Sequence, residues 1–399
     1  MSARQPPLSD RTDWDRSPSR LSELLAEADA RGLALCDLTE SNPTRCGLCA
    51  PPGLLASLGQ ERGAEYAPNP FGMPEARAAV ARYYLERGLP ADPEHIVLTT
   101  STSEAYGWLF KLLADQGDEL LVPQPSYPLL PLLARLEGVR LVPYPLVREE
   151  GWRIDLGAVA RAIGPRTRGV LLVSPNNPTG SLVHRDDAHA LEQLAAEHGL
   201  ALVADEVFAD FPHGPVRADR RTSFAGTTTA LCFVLSGLSK LALLPQVKLG
   251  WIACHGPEAA VAEAVARLDL VADSYLSVST AVQLAAPAIL AHAAALRRPA
   301  MARLAHNLAA IDRAIAAEGP SCPVRRVPSE AGWYSLLEVP RTRSDDQWLE
   351  RLLLGEGLVV HPGYFFDLDA PGTMVVSLLL EPERFEPAIA RAVACWSAG

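Results

Sequence analysis

Lysine is scarce in this chain, so few residues could perform chemistry that needs a side-chain amine. Among 399 residues and 36 lysines and arginines, only Lys111, Lys240 and Lys248 are lysines. An arginine guanidinium does not lose its proton in proteins, so it cannot act as a nucleophilic amine. Lys240 follows the apolar run 231–235 through a short link of Ser, Gly and Leu. Burial among apolar neighbours lowers the pKa of an amine and makes it reactive towards an aldehyde, so Lys240 is the candidate nucleophile.

A run of hydroxyl side chains follows another apolar segment, 96–99. Ser101, Thr102 and Ser103 stand where a helix is predicted to begin. The free N–H groups and positive dipole end of a helix N-terminus bind phosphate, and hydroxyls add further donors. The same residues also fit an ordinary helix cap. The residues alone therefore favour a phosphate site and a simple cap equally.

Three more apolar runs end in side chains that could contact a ligand. These are Tyr127 after 119–122, Asn177 after 169–173, and Asp205 directly after 201–204. A carboxylate that closes a buried strand is costly without a cationic partner, which makes Asp205 more informative than a surface acid. Tyr127 also fits a packing role, and Asn177 also fits the capping of its own turn.

The elements that must position these residues alternate between strands and helices from residue 38 to about 254. Near-continuous apolar runs are typical of strands that are buried on both faces. The predicted strands are 96–99, 119–122, 139–143, 169–173, 201–204, 231–235 and 249–254. Apolar spacing of three and four predicts helices at 103–114, 156–163 and 187–197. We therefore predict an α/β fold with a mostly parallel sheet, helices on both faces, and ligands bound at the carboxyl ends of the strands.

The pattern changes after residue 257 and predicts a second, smaller unit. Long helices, the last over about 299–318, lead to a strand at 333–339 and to a helix that begins after Ser344, with Gln347 in capping-box spacing. A strand at 373–379 and a final helix to about 396 follow. We predict three parts: an N-terminal segment, 1–48, that packs on the small unit; a large α/β domain, 49–290; and a small α+β domain, 291–399.

Composition excludes several classes of function. The 48% hydrophobic and 21% charged residues describe a globular protein. A net charge of −11 argues against binding nucleic acid or an anionic membrane. The N-terminus has no apolar core of a secretory signal, and polar residues interrupt the longest apolar tract, 278–296, so no membrane span is predicted.

The cysteines predict a reducing compartment and no metal site. Seven cysteines, an odd number, fit a cytoplasmic protein better than a disulfide scaffold. Cys46 and Cys49 form a CxxC pair, but no second pair or nearby histidine pair completes a four-ligand site. The role of this pair stays open.

Considered together, the ordered strand ends resemble those of the class I and II aminotransferases of the fold-type I pyridoxal-phosphate family. The resemblance runs from about residue 38 to 396 and rests on Asn177-Pro178-Thr179-Gly180, Asp205 and Ser239-Lys240. It implies pyridoxal 5'-phosphate as cofactor and an amino acid and a 2-oxo acid as substrates. It also implies a homodimer with shared active sites, in which Tyr66 reaches the phosphate bound by the neighbouring subunit.

The resemblance further implies a role for each matching residue. Lys240 would form the Schiff base and move the substrate proton, and Asp205 would keep the pyridine nitrogen protonated. Tyr127 would stack on the ring, and Asn177 would donate to its 3-oxygen. Residues that would hold the phosphate are Ser101, Thr102, Ser103, Ser239 and Lys248.

Three positions near the implied cofactor depart from the family pattern. Phe208 stands where a tyrosine usually donates to the 3-oxygen, which removes one donor. Lys248 replaces an arginine, and gives charge without a bidentate fork. Gly237 replaces a serine or threonine, so Ser236 or Ser239 would have to supply the phosphate hydroxyl.

A fourth departure bears on the substrate. Val375 stands where the pattern places an arginine that clamps the α-carboxylate. Arg45 is a candidate replacement, because its loop, with Ser41 and Asn42, resembles the substrate-contacting segment of the family; a solvent-facing arginine fits equally well. The missing arginine leaves open a lyase, decarboxylase or cyclase on the same fold. A non-catalytic binding protein is a further alternative, which the retained Lys240 and Asp205 disfavour.

Overall fold

The seven apolar runs predicted as strands pair in one eight-stranded sheet of the computed structural model, which describes residues 8–399. The first seven residues of the predicted N-terminal segment lie outside this range. In chain order the strands are β1 (Cys36–Asp37), β2 (Ile96–Thr99), β3 (Glu119–Gln124), β4 (Arg140–Val147), β5 (Arg153–Ile154), β6 (Thr167–Val173), β7 (Ala201–Asp205), β8 (Cys232–Gly237), β9 (Gly250–His255), β10 (Arg325–Arg326), β11 (Tyr334–Glu338), β12 (Leu358–Val359), β13 (His361–Pro362) and β14 (Thr373–Ser377).

The large sheet has the order β2-β9-β8-β7-β6-β3-β4-β5. Strands β4, β3, β6, β7 and β8 run parallel to their neighbours in that series. The remaining pairs are antiparallel. Strand β9 lies between β2 and β8 and is antiparallel to both, and β5 is antiparallel to β4. The predicted mostly parallel sheet is confirmed.

Helices cover both faces of this sheet. In chain order, the helices of the described residues are α1 (Arg20–Ala30), α2 (Pro74–Glu86), α3 (Thr102–Leu113), α4 (Leu130–Glu137), α5 (Leu156–Ala162), α6 (Arg185–His198), α7 (Leu238–Leu241), α8 (Glu258–Tyr275), α9 (Thr280–Ala317), α10 (Asp345–Glu350), a π-helical segment (Arg351–Glu356) and α11 (Pro382–Ser397). Successive strand residues enter opposite cores: Leu171 packs with α3, α4 and α8, whereas Leu172 packs with α2, α5, α6 and α9. Burial on both faces explains why the strands are continuously apolar.

A four-stranded sheet, β10-β11-β14-β13, forms the core of the C-terminal unit. Its strands are antiparallel, and α1, α10 and α11 pack on the same core. Ser344 and Gln347 form the predicted capping box of α10. The N-terminal segment joins this unit, because β1 pairs with β12 and Leu24 lies in its core.

Helix α9 is longer than the sequence predicts. The sequence predicts a buried helix over 278–296 and a separate one from about 299, but α9 is continuous from Thr280 through Pro287 and Pro299. Each proline removes one helical hydrogen bond, and burial of the helix at both ends offsets the loss. Ile289 lies in the large-sheet core and Leu304 in the small-sheet core. The boundary between 290 and 291 falls inside this helix, and the division into domains stays a prediction.

The described residues contain neither a membrane-spanning helix nor a metal-binding cluster. Within residues 8–399 no helix is both long and apolar enough to cross a membrane. The same range contains no group of three or more histidine, cysteine, aspartate or glutamate side chains placed to hold a metal ion. Cys46 is buried, and burial raises the pKa of its thiol to about 12, while Cys49 is exposed.

Gly180 fastens the loop after β6 to the segment that leads into β11. Its carbonyl oxygen accepts hydrogen bonds from the main-chain N–H groups of Glu330 at 3.0 Å and Ala331 at 2.9 Å. The φ of Gly180 is +69°, and a Cβ atom there would lie 2.4 Å from the Ala331 oxygen. No larger residue fits this junction without moving the backbone.

The junction predicts a large cost for Gly180→Ala. Gly199 is a matched control, because its φ is +65° and a Cβ there would meet nothing within 4 Å. Gly199→Ala should lower the free energy of unfolding by about 1 kcal/mol through backbone strain alone. Gly180→Ala should cost roughly 2 kcal/mol more, because overpacking adds to the strain. Chemical denaturation of both variants measures the difference, and equal losses would contradict the close approach.

Candidate active site

Lys240 lies at the carboxyl end of β8, on the single helical turn α7. Its Nζ atom is 4.8 Å from the centre of the Trp333 ring and 5.7 Å from the centre of the Phe208 ring. Burial lowers the pKa of this amine to about 8, although the charge of Asp205 acts in the opposite direction. A substantial neutral fraction near physiological pH makes the amine nucleophilic.

Asp205 closes the neighbouring strand β7 and is 6% exposed. Its Oδ2 accepts a hydrogen bond from the Tyr106 hydroxyl at 2.8 Å, and its Oδ1 accepts one from the Val207 N–H at 3.1 Å. Burial raises the pKa of the carboxyl group, while these two bonds and the charge of Lys240 oppose the rise. The structure therefore places a buried acid and a buried amine within electrostatic reach of each other.

Tyr106 is a site residue that the sequence interpretation missed. It lies on the buried face of α3, where its apolar neighbours made it look like ordinary core. Burial and the nearby carboxylate raise the pKa of Tyr106 well above that of free tyrosine, so its hydroxyl remains a donor. A buried tyrosine usually needs a hydrogen-bond partner, and this requirement was the available signal.

The hydroxyl run 101–103 begins α3, as the sequence predicts, and part of it serves as a cap. The Ser101 Oγ accepts the Glu104 N–H at 3.2 Å. Ser101, Thr102 and Ser103 are all half-buried. A Cβ on Gly250 would lie 3.0 Å from the Ser101 carbonyl carbon and 3.1 Å from the Thr102 nitrogen. The absence of a side chain at Gly250 thus lets β9 pass against the start of the helix.

Gly237, the register partner of Gly250, explains one departure from the family pattern. A Cβ at Gly237 would lie 2.8 Å from the Leu249 oxygen, so a serine or threonine does not fit there. Ser239 is half-buried on α7. The Ser236 hydroxyl is buried and has no hydrogen-bond partner within residues 8–399. Either hydroxyl remains available to a ligand.

Lys248 lies two residues before Gly250, in an exposed position. Its φ of +62° is in the left-handed region, which a residue with a side chain rarely adopts. Its predicted role at a phosphate stays a prediction.

The two asparagines of the loop after β6 have different surroundings. Asn176 is structural, because its Nδ2 donates to the Pro125 oxygen at 3.1 Å and its Oδ1 accepts from the Thr179 hydroxyl at 2.9 Å. Asn177 is 7% exposed, and its Oδ1 finds no partner among the described residues. An unsatisfied buried amide oxygen fits a ligand that donates a hydrogen bond, and the predicted donation from Asn177 to the 3-oxygen stays a prediction.

Aromatic side chains lie around the pair of Lys240 and Asp205. Tyr127 follows β3 and is 38% exposed; burial, Asp205 and Tyr334 all raise the pKa of its phenol. The Phe208 ring is buried and meets the Trp333 ring edge-on at 5.3 Å. Tyr334 lies 6.3 Å from Phe208, between ring centres. These rings connect the large-sheet loops to the small sheet.

The N-terminal loop brings one of its three predicted residues to this cluster. Ser41 lies beside Tyr334, and its hydrogen bond partly offsets the rise in the Tyr334 pKa that burial causes. The Asn42 Oδ1 is used within its own turn by Thr44, at 2.8 and 3.1 Å. The Arg45 side chain is 75% exposed, and its Nη1 lies 3.5 Å from the Glu40 carboxylate. The structure thus favours the solvent-facing interpretation of Arg45.

Val375 lies in an apolar wall of the small sheet. On β14 it is the register partner of Leu336 on β11 and of His361 on β13. Its side chain packs in a buried cluster with Trp152 and Phe366. Val375 is fully buried. An apolar packing residue therefore takes the place of the clamping arginine.

Tyr66 lies away from any packed position and is 77% exposed. Its loop and the segment that leads into α9 line a common cavity, with Leu276 and Gln283 among its residues. This exposure leaves Tyr66 free to contact another molecule, and its predicted role in a neighbouring subunit stays a prediction.

The chain belongs to the class I and II aminotransferase family, whose model matches residues 50–391. It is similar to the alanine aminotransferase of Mycobacterium tuberculosis, 29% identical over 254 residues that cover 63% of this chain and 59% of that protein. The aspartate/prephenate aminotransferase of Thermus thermophilus is 30% identical over 330 residues, 82% of each chain. The solved alanine aminotransferase of Pyrococcus furiosus has a TM-score of 0.84 at 22% identity, covering 97% and 99% of the two chains. The predicted fold-type I architecture is confirmed.

The bond from Tyr106 to Asp205 predicts a measurable stability difference. Tyr144 is a matched control, because its buried hydroxyl donates to the neutral Leu171 carbonyl at 2.8 Å. Tyr144→Phe should cost about 1 kcal/mol, and Tyr106→Phe about 2 kcal/mol, because a bond to a carboxylate is stronger and its loss strands a buried charge. Denaturation at neutral pH measures both, and a smaller loss for Tyr106→Phe would show that Asp205 does not depend on this donor.

Proposed function

We propose that this protein is a pyridoxal-phosphate-dependent aminotransferase that moves an amino group between an amino acid and a 2-oxo acid. The observation that carries the proposal is the buried pair of Lys240 and Asp205 at neighbouring strand ends. Class I and II aminotransferases use this cofactor in general. When bound, pyridoxal phosphate supplies a reactive aldehyde carbon and an electron-accepting ring.

The residues present fit that group. Asn177 and Ser236 have buried polar atoms without partners among the described residues, and the three hydroxyl residues at the start of α3 are only partly buried. Lys240 would hold the cofactor covalently, and Asp205 would bind its ring nitrogen. Residues that would make the remaining contacts are Tyr127 and Phe208 at the ring, Asn177 at the 3-oxygen, and Ser101, Thr102, Ser103, Ser239 and Lys248 at the phosphate.

Lys240 is also the group that would move the substrate proton. A general base works best when its pKa lies near the working pH, and burial lowers the pKa of Lys240 to about 8. Asp205 would remain ionised beside a cationic ring nitrogen, because an opposite charge opposes the effect of burial on its pKa. The chain thus contributes one proton carrier and one fixed charge.

The assembly and location are also proposals. The exposure of Tyr66 supports a homodimer in which each copy completes the site of the other. All seven cysteines are unpaired, which supports a cytoplasmic protein.

The apolar wall at Val375 favours a second candidate function. A lyase, decarboxylase or cyclase on this fold would not need the same hold on an α-carboxylate. The wall supplies no cation for an α-carboxylate, so an aminotransferase would need another group to bind it.

The first prediction of the proposal concerns the amine. The cofactor-free protein, mixed with pyridoxal phosphate and then borohydride, should give a covalent adduct at Lys240. The rate of attachment should rise with pH and level off above about 8, whereas an ordinary lysine, with a pKa of about 10.4, would continue to gain. Mass spectrometry locates the adduct. Lys240→Ala should abolish the adduct, and Lys111→Ala should not. An adduct that survives Lys240→Ala would show that the reactive amine belongs to another residue.

The second prediction concerns the reaction. A single turnover of the cofactor-loaded protein with a panel of amino acids should yield a free oxo acid and the aminated cofactor in equal amounts. Absorbance of the cofactor and analysis of the products follow both quantities. Release of ammonia or carbon dioxide, or a cyclised product, with the cofactor unchanged, would favour the second candidate instead.

A further inference from the structure

Arg297, on helix α9, connects two chain segments that reach the candidate site. Its Nη1 donates to the Leu241 carbonyl oxygen at 2.9 Å, and its Nη2 lies 3.2 Å from the Asp210 Oδ1. Both side chains are largely buried, with 14% exposure for Arg297 and 11% for Asp210. One guanidinium therefore forms two contacts in different directions.

The two contacts lie next to the residues that carry the proposed chemistry. Leu241 directly follows Lys240 on α7, and Asp210 lies on the segment that follows Asp205. Arg297 thus holds the amine-bearing turn and the carboxylate-bearing segment to the same helix.

The turn α7 needs an external donor at its end. It has only four residues, too few to be stable through helical hydrogen bonds alone. The carbonyl groups of Leu238 and Lys240 accept main-chain N–H groups from the residues that follow. The Leu241 carbonyl is one of the terminal acceptors that a helix leaves without an internal partner, and Arg297 supplies its donor.

Asp210 is itself held by a second helix. Its Oδ2 accepts a hydrogen bond from the Tyr83 hydroxyl at 2.6 Å and lies 3.9 Å from the Arg87 Nη1. Tyr83 belongs to α2, and Arg87 follows it directly. These contacts lie beside a cavity of about 340 Å³ and hold Asp210 in addition to Arg297.

We propose that Arg297 is a positioning residue, which orients the Lys240 turn relative to the Asp205 segment through Leu241 and Asp210. This inference rests on the proposed function, since the geometry matters only if Lys240 attacks an aldehyde. The guanidinium touches neither Lys240 nor a ligand and acts through its neighbours. Small displacements of a reacting group can lower rates by about a hundredfold, so losing this support should be visible in the attachment rate.

The test uses the cofactor-free protein and the rate at which pyridoxal phosphate forms a borohydride-trapped adduct. Arg297→Met should lower the limiting rate at high pH by about tenfold. Arg297→Lys, which keeps a charge and a donor but cannot make both contacts as a fork, should recover part of that rate. The pH at which the rate levels off should stay near the wild-type value, because the burial of Lys240 is unchanged.

Arg303→Met is the matched control for damage to helix α9. Arg303 lies on the same helix and donates from Nη1 to the carbonyl oxygens of Cys46 and Leu379, the latter at 3.0 Å. Its loss should lower thermal stability without slowing attachment. Asp210→Asn should slow attachment, and the double variant with Arg297→Met should be no slower than Arg297→Met alone, because the two residues act together.

Three results would overturn the inference. They are equal slowing by Arg297→Met and Arg303→Met, additive effects in the double variant, or a levelling pH in Arg297→Met that moves to that of an exposed lysine. Failure of the proposed function is a separate outcome, because the wild-type protein would then form no adduct at Lys240.

Discussion

The burial of one carboxylate at the end of a central strand is the constraint on which the site depends. Asp205 has little access to water, and an isolated buried charge is expensive. Its ionised form relies on the Tyr106 hydroxyl, one main-chain N–H and the positive charge of Lys240. Lys240, in turn, lies against two aromatic rings, with Asp205 as the charge that raises its pKa. Each group makes the burial of the other tolerable.

The register of the parallel strands brings these groups together. Asp205 pairs with Leu235 across β7 and β8, so the carboxylate lies beside the last residues of β8, just before the turn α7. The sequence could predict this part, because continuous apolar runs mark buried strands and their ends share one edge of a parallel sheet. The hydroxyl run at the start of α3 followed from the same reasoning. Local patterns were sufficient where the chain's own periodicity determined the position.

Such reasoning could not identify side chains that form hydrogen bonds with residues far away in the sequence. Tyr106 reaches Asp205 from 99 positions away, and Arg297 reaches Leu241 from 56. The Tyr106 hydroxyl signals that a hydrogen-bond partner is needed but does not say which one. Nothing in the local sequence distinguishes Arg297 from other arginines of an alanine-rich helix. The neighbouring Asn176 and Asn177 show the same limit. Only the folded loop shows that the first is satisfied within the protein and that the second has an oxygen without a partner. The predicted length of α9 was wrong for a related reason. Burial of the helix in two cores outweighs the local effect of its prolines.

The wall around Val375 shows how the fold accommodates the missing arginine. An arginine buried there would need a carboxylate partner whenever no substrate was bound, or it would carry an unpaired charge. In this chain a cationic side chain, Arg148, lies at the edge of the cluster. The Arg148 guanidinium lies 5.9 Å from the centre of the Trp152 ring and pairs with the Glu338 carboxylate at 2.8 Å. The cluster itself is closed by Val375, Trp152 and Phe366, which stabilise it by apolar burial in the absence of any ligand. Because Arg148 already pairs with the Glu338 carboxylate, it is not a free counter-ion for a substrate.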